Sequence, residues 1–283
     1  MWDTFAHRWL RLPYTLHIHQ DVRGAKKPRA TVLFIHGIGN TGASWQDVME
    51  ALPPDLRLVS IDLLGFGQSK SPVWAVYDAK TQARSVLATY LKLRLSGQVI
   101  IVGHSLGALV AVEIAKRYPL LVKSIILCSP PFYREDPVKR RLFPESDRTL
   151  RRLYARMVTH PEELLALSRI FKRLGLVNKS FNLTRDNSAS YISALEASII
   201  NQTAFDDAVR LKVPTYIFHG RLDPIVIYRN LKTVAQRNPN ITLTTVLAAH
   251  EVEGLYVNAI AKTIDEIAST TPQDSSHDGT YVL

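Results

Sequence analysis

The chain has 283 residues, of which 46% are hydrophobic and 21% charged. That composition and length support a substantial buried core and exclude general disorder, and the single cysteine, Cys128, excludes an internal disulfide. The net charge is +10, but no zinc-finger spacing or aromatic-interleaved basic module accompanies it, so nucleic acid is not an expected partner.

At the N-terminus, Trp2, Phe5, Trp9 and Leu12 fall on one helical stripe, with Arg8 and Arg11 off it. A short helix packed on the protein body is expected there in preference to a membrane-surface helix. Asp3, His7, Arg8 and Arg11 interrupt any signal-peptide pattern, and no run approaches the roughly 18 apolar residues of a membrane span. With no disulfide to form, a cytoplasmic location is the expectation.

Tyr14 to His19 alternates apolar and polar residues, the pattern of a half-exposed strand with His17 and His19 on its solvent face. Those two histidines have no third ligand near them in sequence, and no metal is expected. Nearly continuous apolar runs follow at Thr31 to Ile35, Leu56 to Ile61, Val99 to Val102, Ser124 to Leu127, Thr215 to Phe218 and Leu243 to Leu247. Helical patterns separate most of them, such as Thr81 to Leu95 and Leu106 to Tyr118. Strands buried on both faces and alternating with helices predict an α/β fold with a mainly parallel central sheet flanked by helices.

The alternation breaks after Pro130-Pro131. Residues 131–209 are helix-like and rich in charge, with no strong strand run. They read as a helical lid inserted into a core made of residues 1–130 and 210–269. Between Arg134 and Arg156, eight basic residues face four acidic ones, which reads as a solvated face. The lid's apolar residues (Phe143, Leu153, Tyr154, Leu164, Leu165, Leu167 and Phe171) are expected mostly to pack it onto the core. Residues 270–283 read as a flexible tail.

The chemistry concentrates at Gly103-His104-Ser105-Leu106-Gly107, a G-x-S-x-G motif between a buried strand and a helix. A sharp turn there exposes the hydroxyl of Ser105 and aims the free N–H groups of a helix start at whatever it attacks. A serine nucleophile needs a base, and the base needs an orienting acid. Asp223 and His250 each follow a late strand, giving the order Ser105, Asp223, His250. His36, His104 and His219 read as loop-shaping hydrogen-bonders, Asp62 as loop structure, and Cys128 as a small core residue without a chemical role. The Gly37 to Gly42 stretch lacks the lysine and spacing of a phosphate-binding loop, and no cofactor is expected.

These motifs, with Phe34 to Gly39 (FIHGIG), Asp62 to Ser69 (DLLGFGQS) and His219 to Val226 (HGRLDPIV), resemble the α/β-hydrolase fold superfamily in its lid-bearing serine esterase-like branch. The likeness covers about Thr31 to Ala268. It implies an oxyanion hole made by the backbone N–H groups of Ile38 and Leu106. One departure is Ala248-Ala249 ahead of His250, where the family usually has glycine. The implied reaction is cleavage of a small-molecule carboxylic ester through an acyl-enzyme, with Trp45, Phe132 and Tyr133 as candidate pocket residues. Two alternatives stand beside it: a C–C bond hydrolase of the meta-cleavage-product type on the same triad, and a ligand receptor with a slow triad. Oligomeric state is not legible in the sequence.

Overall fold

The computed structural model describes residues 2–95, 97–133, 156, 161–173, 177–200 and 202–270. Seven strands form one sheet: β1 (His17–Arg23), β2 (Thr31–Ile35), β3 (Arg57–Asp62), β4 (Val99–His104), β5 (Val122–Cys128), β6 (Thr215–Gly220) and β7 (Ile241–Val246). Their spatial order is β1-β3-β2-β4-β5-β6-β7, and every pairing is parallel except that of β1 with β3.

Side chains alternate across the strands, and both faces are covered. Leu33 and Ile35 of β2 join Val99 and Ile101 of β4 in one core, while Val32, Phe34, Ile100 and Val102 point into the other. The first core is closed by α2 (Ala79–Lys92) and α3 (Leu106–Arg117), the second by α1 (Gln46–Glu50) and α8 (Leu255–Ser269). Helix α2 starts at an Asp78 cap, whose side chain accepts from the Thr81 amide at 2.7 Å. Helix α3 is buried from Leu106 through Ala115, because it crosses the centre of the sheet.

Three sequence expectations need correction. Tyr14 and Leu16 are buried but lie ahead of β1, which begins only at His17. The last strand is only partly buried: β7 is an edge strand, with Ile241 and Leu243 against one core, Val246 against the other, and Thr242, Thr244 and Thr245 exposed. The N-terminal stripe is not packed away either. Trp2 and Trp9 are 77% and 73% exposed, and the segment is anchored instead by His7 stacked on Tyr14 and by Arg84 donating to the Arg11 carbonyl at 2.8 Å.

Between β5 and β6, the described residues contain helices and no strand: α4 (Pro161–Arg173), α5 (Arg185–Ala194), a wider helical turn over Leu195–Ile200, and α6 (Ala204–Val209). This segment touches loops at the strand ends. The Asn182 amide donates to the Gly39 carbonyl at 2.8 Å, and the Ser198 hydroxyl donates to the Tyr77 carbonyl at 2.8 Å. Phe143, Leu153, Tyr154, most of the basic stretch 134–156 and the tail from residue 271 lie outside the described residues, as do the side chains of Leu164, Leu167 and Phe171. Helix α7 (Tyr228–Arg237) lies between β6 and β7, and among the described residues no helix is long and apolar enough to cross a membrane.

Candidate active site

Ser105 sits where β4 gives way to α3, with φ +50° and ψ −113°. A serine in this left-handed region is strained, and the surroundings must impose it. They do so through the central strands. The Ser105 amide donates to the Cys128 carbonyl on β5 at 2.9 Å, while its carbonyl accepts from the Ala108 amide at 3.0 Å. The flanking glycines are required by space alone. A Cβ on Gly103 would overlap the Gly107 carbonyl and sit 2.7 Å from the Ala108 nitrogen; one on Gly107 would overlap the Ile35 carbonyl and sit 2.7 Å from that of His36. Helix and strands approach too closely for any side chain at either position.

The loops after β6 and β7 bring Asp223 and His250 together. His250 Nδ1 lies 2.8 Å from Asp223 Oδ2, and the Asp223 side chain is fully buried. The other carboxylate oxygen accepts from the amides of Ile225 at 2.8 Å and Val226 at 3.1 Å. This turn is built by the sequence Asp223-Pro224, since an aspartate folds its carboxylate back onto amides two and three residues on. Burial works against ionisation of Asp223. The hydrogen bond from His250, its charge and the two amides outweigh burial and hold the carboxyl below its ordinary range.

His104, the residue before Ser105, bridges the elbow to this pair. Its Nε2 is 3.0 Å from the His250 carbonyl, and the two rings are 4.9 Å apart. Burial pushes His104 toward the neutral form, in which the other ring nitrogen is free to accept. The hydroxyl of Ser105 makes no hydrogen bond to a described residue, and the serine is 6% exposed.

His36 shapes the neighbouring loop. Its Nδ1 is 2.7 Å from the Gly37 carbonyl, and its Nε2 accepts from the Leu63 amide at 2.9 Å. Full burial lowers its pKa to about 4. Ile38 follows in that loop and is half-buried, while Leu106 opens α3. Neither backbone N–H donates to an acceptor among the described residues. Gly39 has φ +76°, and a Cβ there would strike the ring of Phe181, so the segment between β5 and β6 packs directly on this loop.

The three candidate pocket residues separate. Trp45 is 1% exposed and packs on Phe34 in the core between the sheet and α8. Phe132 is fully buried in the opposite core, its carbonyl accepting from Asn230 at 2.7 Å. Tyr133 stands at the site's margin, donating to the Ile225 carbonyl at 3.1 Å. Burial and the nearby Asp223 charge push its hydroxyl up to about 12. His104 shapes the loops by a hydrogen bond, as expected, whereas the roles of Phe181 and of the Ile225 and Val226 amides were not foreseen in the sequence. Only the Asp-Pro turn carried a local signal.

A family model for the alpha/beta hydrolase fold matches residues 30–252. A probable lysophospholipase, BODYGUARD 4 of Arabidopsis thaliana, is 34% identical over 110 residues, covering 38% of this chain and 26% of that protein. A putative carbamate hydrolase, RutD of Rhizobium rhizogenes, is 32% identical over 127 residues, covering 44% of this chain and 48% of that protein. The matched stretches thus span about a quarter to a half of these relatives' lengths. Among solved structures, an esterase from Exiguobacterium antarcticum superposes with a TM-score of 0.72 at 16% identity, covering 91% of this chain and all of that one. The enol-lactonase of Burkholderia xenovorans superposes with a TM-score of 0.68 at 20% identity, covering 90% and 96%. With a strained serine between the central strand and α3, a buried Asp–His pair beside it, and a family match over most of its length, the chain belongs to the alpha/beta hydrolase fold family.

Proposed function

We propose that the protein hydrolyses carboxylic esters of small molecules, with Ser105 as nucleophile, His250 as general base and Asp223 as its orienting acid. The observation that carries this reading is the 2.8 Å hydrogen bond between His250 Nδ1 and the buried Asp223 carboxylate. It fixes the proton on Nδ1, leaves Nε2 as the basic nitrogen, and stabilises the imidazolium that forms as Ser105 is deprotonated. The hydrogen bond from the Ser105 hydroxyl to Nε2 forms as substrate binds, in keeping with the long or unmade catalytic hydrogen bonds of substrate-free sites.

Attack on the ester carbonyl gives a tetrahedral oxyanion, received by the backbone N–H groups of Ile38 and Leu106. Each such donor lowers the barrier by roughly 3 kcal/mol. His250 then protonates the departing alcohol. Water repeats the sequence on the acyl-enzyme, releasing the acid. Residues 131–209 act as the lid, and Phe181, set against Gly39, ties lid position to the oxyanion loop. Tyr133, held to the loop that carries Asp223, contributes to the pocket wall.

The experiment is steady-state hydrolysis of p-nitrophenyl esters of increasing acyl length, comparing wild type with Ser105→Ala and His250→Ala. Turnover that vanishes in both variants while their thermal midpoints stay near wild type supports the reading, and the length optimum sizes the pocket. A folded wild-type protein without turnover on any ester would refute ester hydrolysis. Activity surviving either substitution would remove that residue from the machinery.

A further inference from the structure

His17 and His19 carry the wrong sequence context for a metal site, but the sheet register supplies what the sequence lacks. Strand β1 runs antiparallel to β3 with His17 opposite Asp62, and the register shifts between Ile18 and Gln20, leaving His19 as the bulged residue. A bulge re-aims the side chain at its centre. Here one ligand atom from each of His17, His19 and Asp62 lies within 4.8 Å of the others. We propose that these three residues bind a divalent transition-metal cation of the zinc class.

The contact between His19 Nδ1 and Asp62 Oδ1 is the telling one. At 3.6 Å it is too long for a hydrogen bond, and this nitrogen is buried without a hydrogen-bond partner among the described residues. A nitrogen and an oxygen bound to one tetrahedral zinc, at about 2.1 Å each, stand about 3.4 Å apart. The observed gap is within a few tenths of an ångström of that edge.

Asp62 is already fixed as a ligand would be. Its side chain is 1% exposed. Oδ1 accepts from the Gly42 amide at 2.7 Å and Oδ2 from the Gln68 amide at 2.9 Å, leaving each oxygen a further lone pair. His17 is half-buried, and its backbone N–H donates to the Ser69 hydroxyl at 2.8 Å. Its imidazole therefore turns on an anchored backbone, and a rotation of the ring closes the remaining distance.

Two imidazoles and one carboxylate suit zinc, nickel or copper rather than magnesium or calcium, and partial exposure of both rings leaves water as the fourth ligand. A cation there clips the edge strand β1 to β3 and, through the Gly42 amide, to the turn that follows the Ile38 loop. The site stands independently of the reading of Ser105.

The test is isothermal titration of chelator-treated full-length protein with zinc chloride, for wild type, His19→Gln and the His17→Gln/His19→Gln pair. Both histidines are partly exposed, so these variants keep the fold, which circular dichroism checks; Asp62 is avoided because it holds two amides. The expected result is one saturable site in wild type, weakened at least tenfold in His19→Gln and absent in the double variant, with a zinc-dependent rise in thermal midpoint confined to wild type. Absence of saturable binding by wild type, or unchanged binding by the double variant, would overturn the proposal.

Discussion

The elbow makes its strongest quantitative demand at Gly103. Its Cα lies where β4, paired on both sides by β2 and β5, meets the first turn of the buried helix α3. In Gly103→Ala the added methyl overlaps the Gly107 carbonyl and lies 2.7 Å from the Ala108 nitrogen. Both obstacles are backbone, so no side-chain rotation relieves them. Ordinary contact needs about 3.4 Å or more, and strand or helix must move by most of an ångström. Neither can do so without disturbing the central ladder, which places the cost near the upper end for overpacking, about 3 kcal/mol. For 283 residues the unfolding entropy is about 0.6 kcal/mol/K, so the thermal midpoint falls by about 5 °C. The displacement passes straight to Ser105, and the proposed ester hydrolysis falls at least a hundredfold, since a misplacement of about 1 Å costs that much. Differential scanning calorimetry and ester hydrolysis on one preparation read both effects. A midpoint within 1 °C of wild type, together with activity within twofold, would refute the steric argument.

Three other outcomes are expected. Asp223→Asn keeps the shape of the acid but sets His250 in the wrong tautomer, and kcat on an activated ester falls by about 10³ to 10⁴; a loss under tenfold would show that another group orients the imidazole. Stability falls on acidification. His36 is held neutral down to about 4, whereas an unfolded histidine titrates near 6.5. Its contribution is therefore complete above pH 6.5 and lost as pH falls toward 4, at up to about 1.4 kcal/mol per pH unit. His104 and His219, lowered by burial, act in the same direction. A thermal midpoint that stays flat from pH 7 to pH 5 would contradict this. Finally, Cys128 is fully buried with its thiol pushed up by burial, so it resists thiol reagents in the native state, and Cys128→Ser leaves turnover unchanged; rapid native-state labelling would show that the core opens there.

The elements fixed by neighbours in sequence were legible before the fold was known. The run Val99 to Val102, the helix from Leu106 and the small residues Gly103 and Gly107 announced the elbow, because strand, turn and helix are contiguous and their preferences are local. The mainly parallel character of the sheet likewise follows from buried runs alternating with helices, whereas its strand order does not. Asp223 and His250 were expected because each follows a late apolar run, and the structure hydrogen-bonds the two side chains to each other. Nearness along the chain is a poor guide to contact in the fold. Trp45 is near Ile38 in sequence, yet its ring packs in the core beside Phe34. The N-terminal stripe has helical spacing, but spacing says nothing about whether a surface is available to cover it. The association of His17 and His19 with Asp62 arises from an antiparallel register and a bulge, and a register joins residues far apart in the chain. Local propensity and pattern therefore determined which elements form and where the elbow serine, Ser105, sits. Only the pairing of strands and the packing of loops decided which side chains meet it.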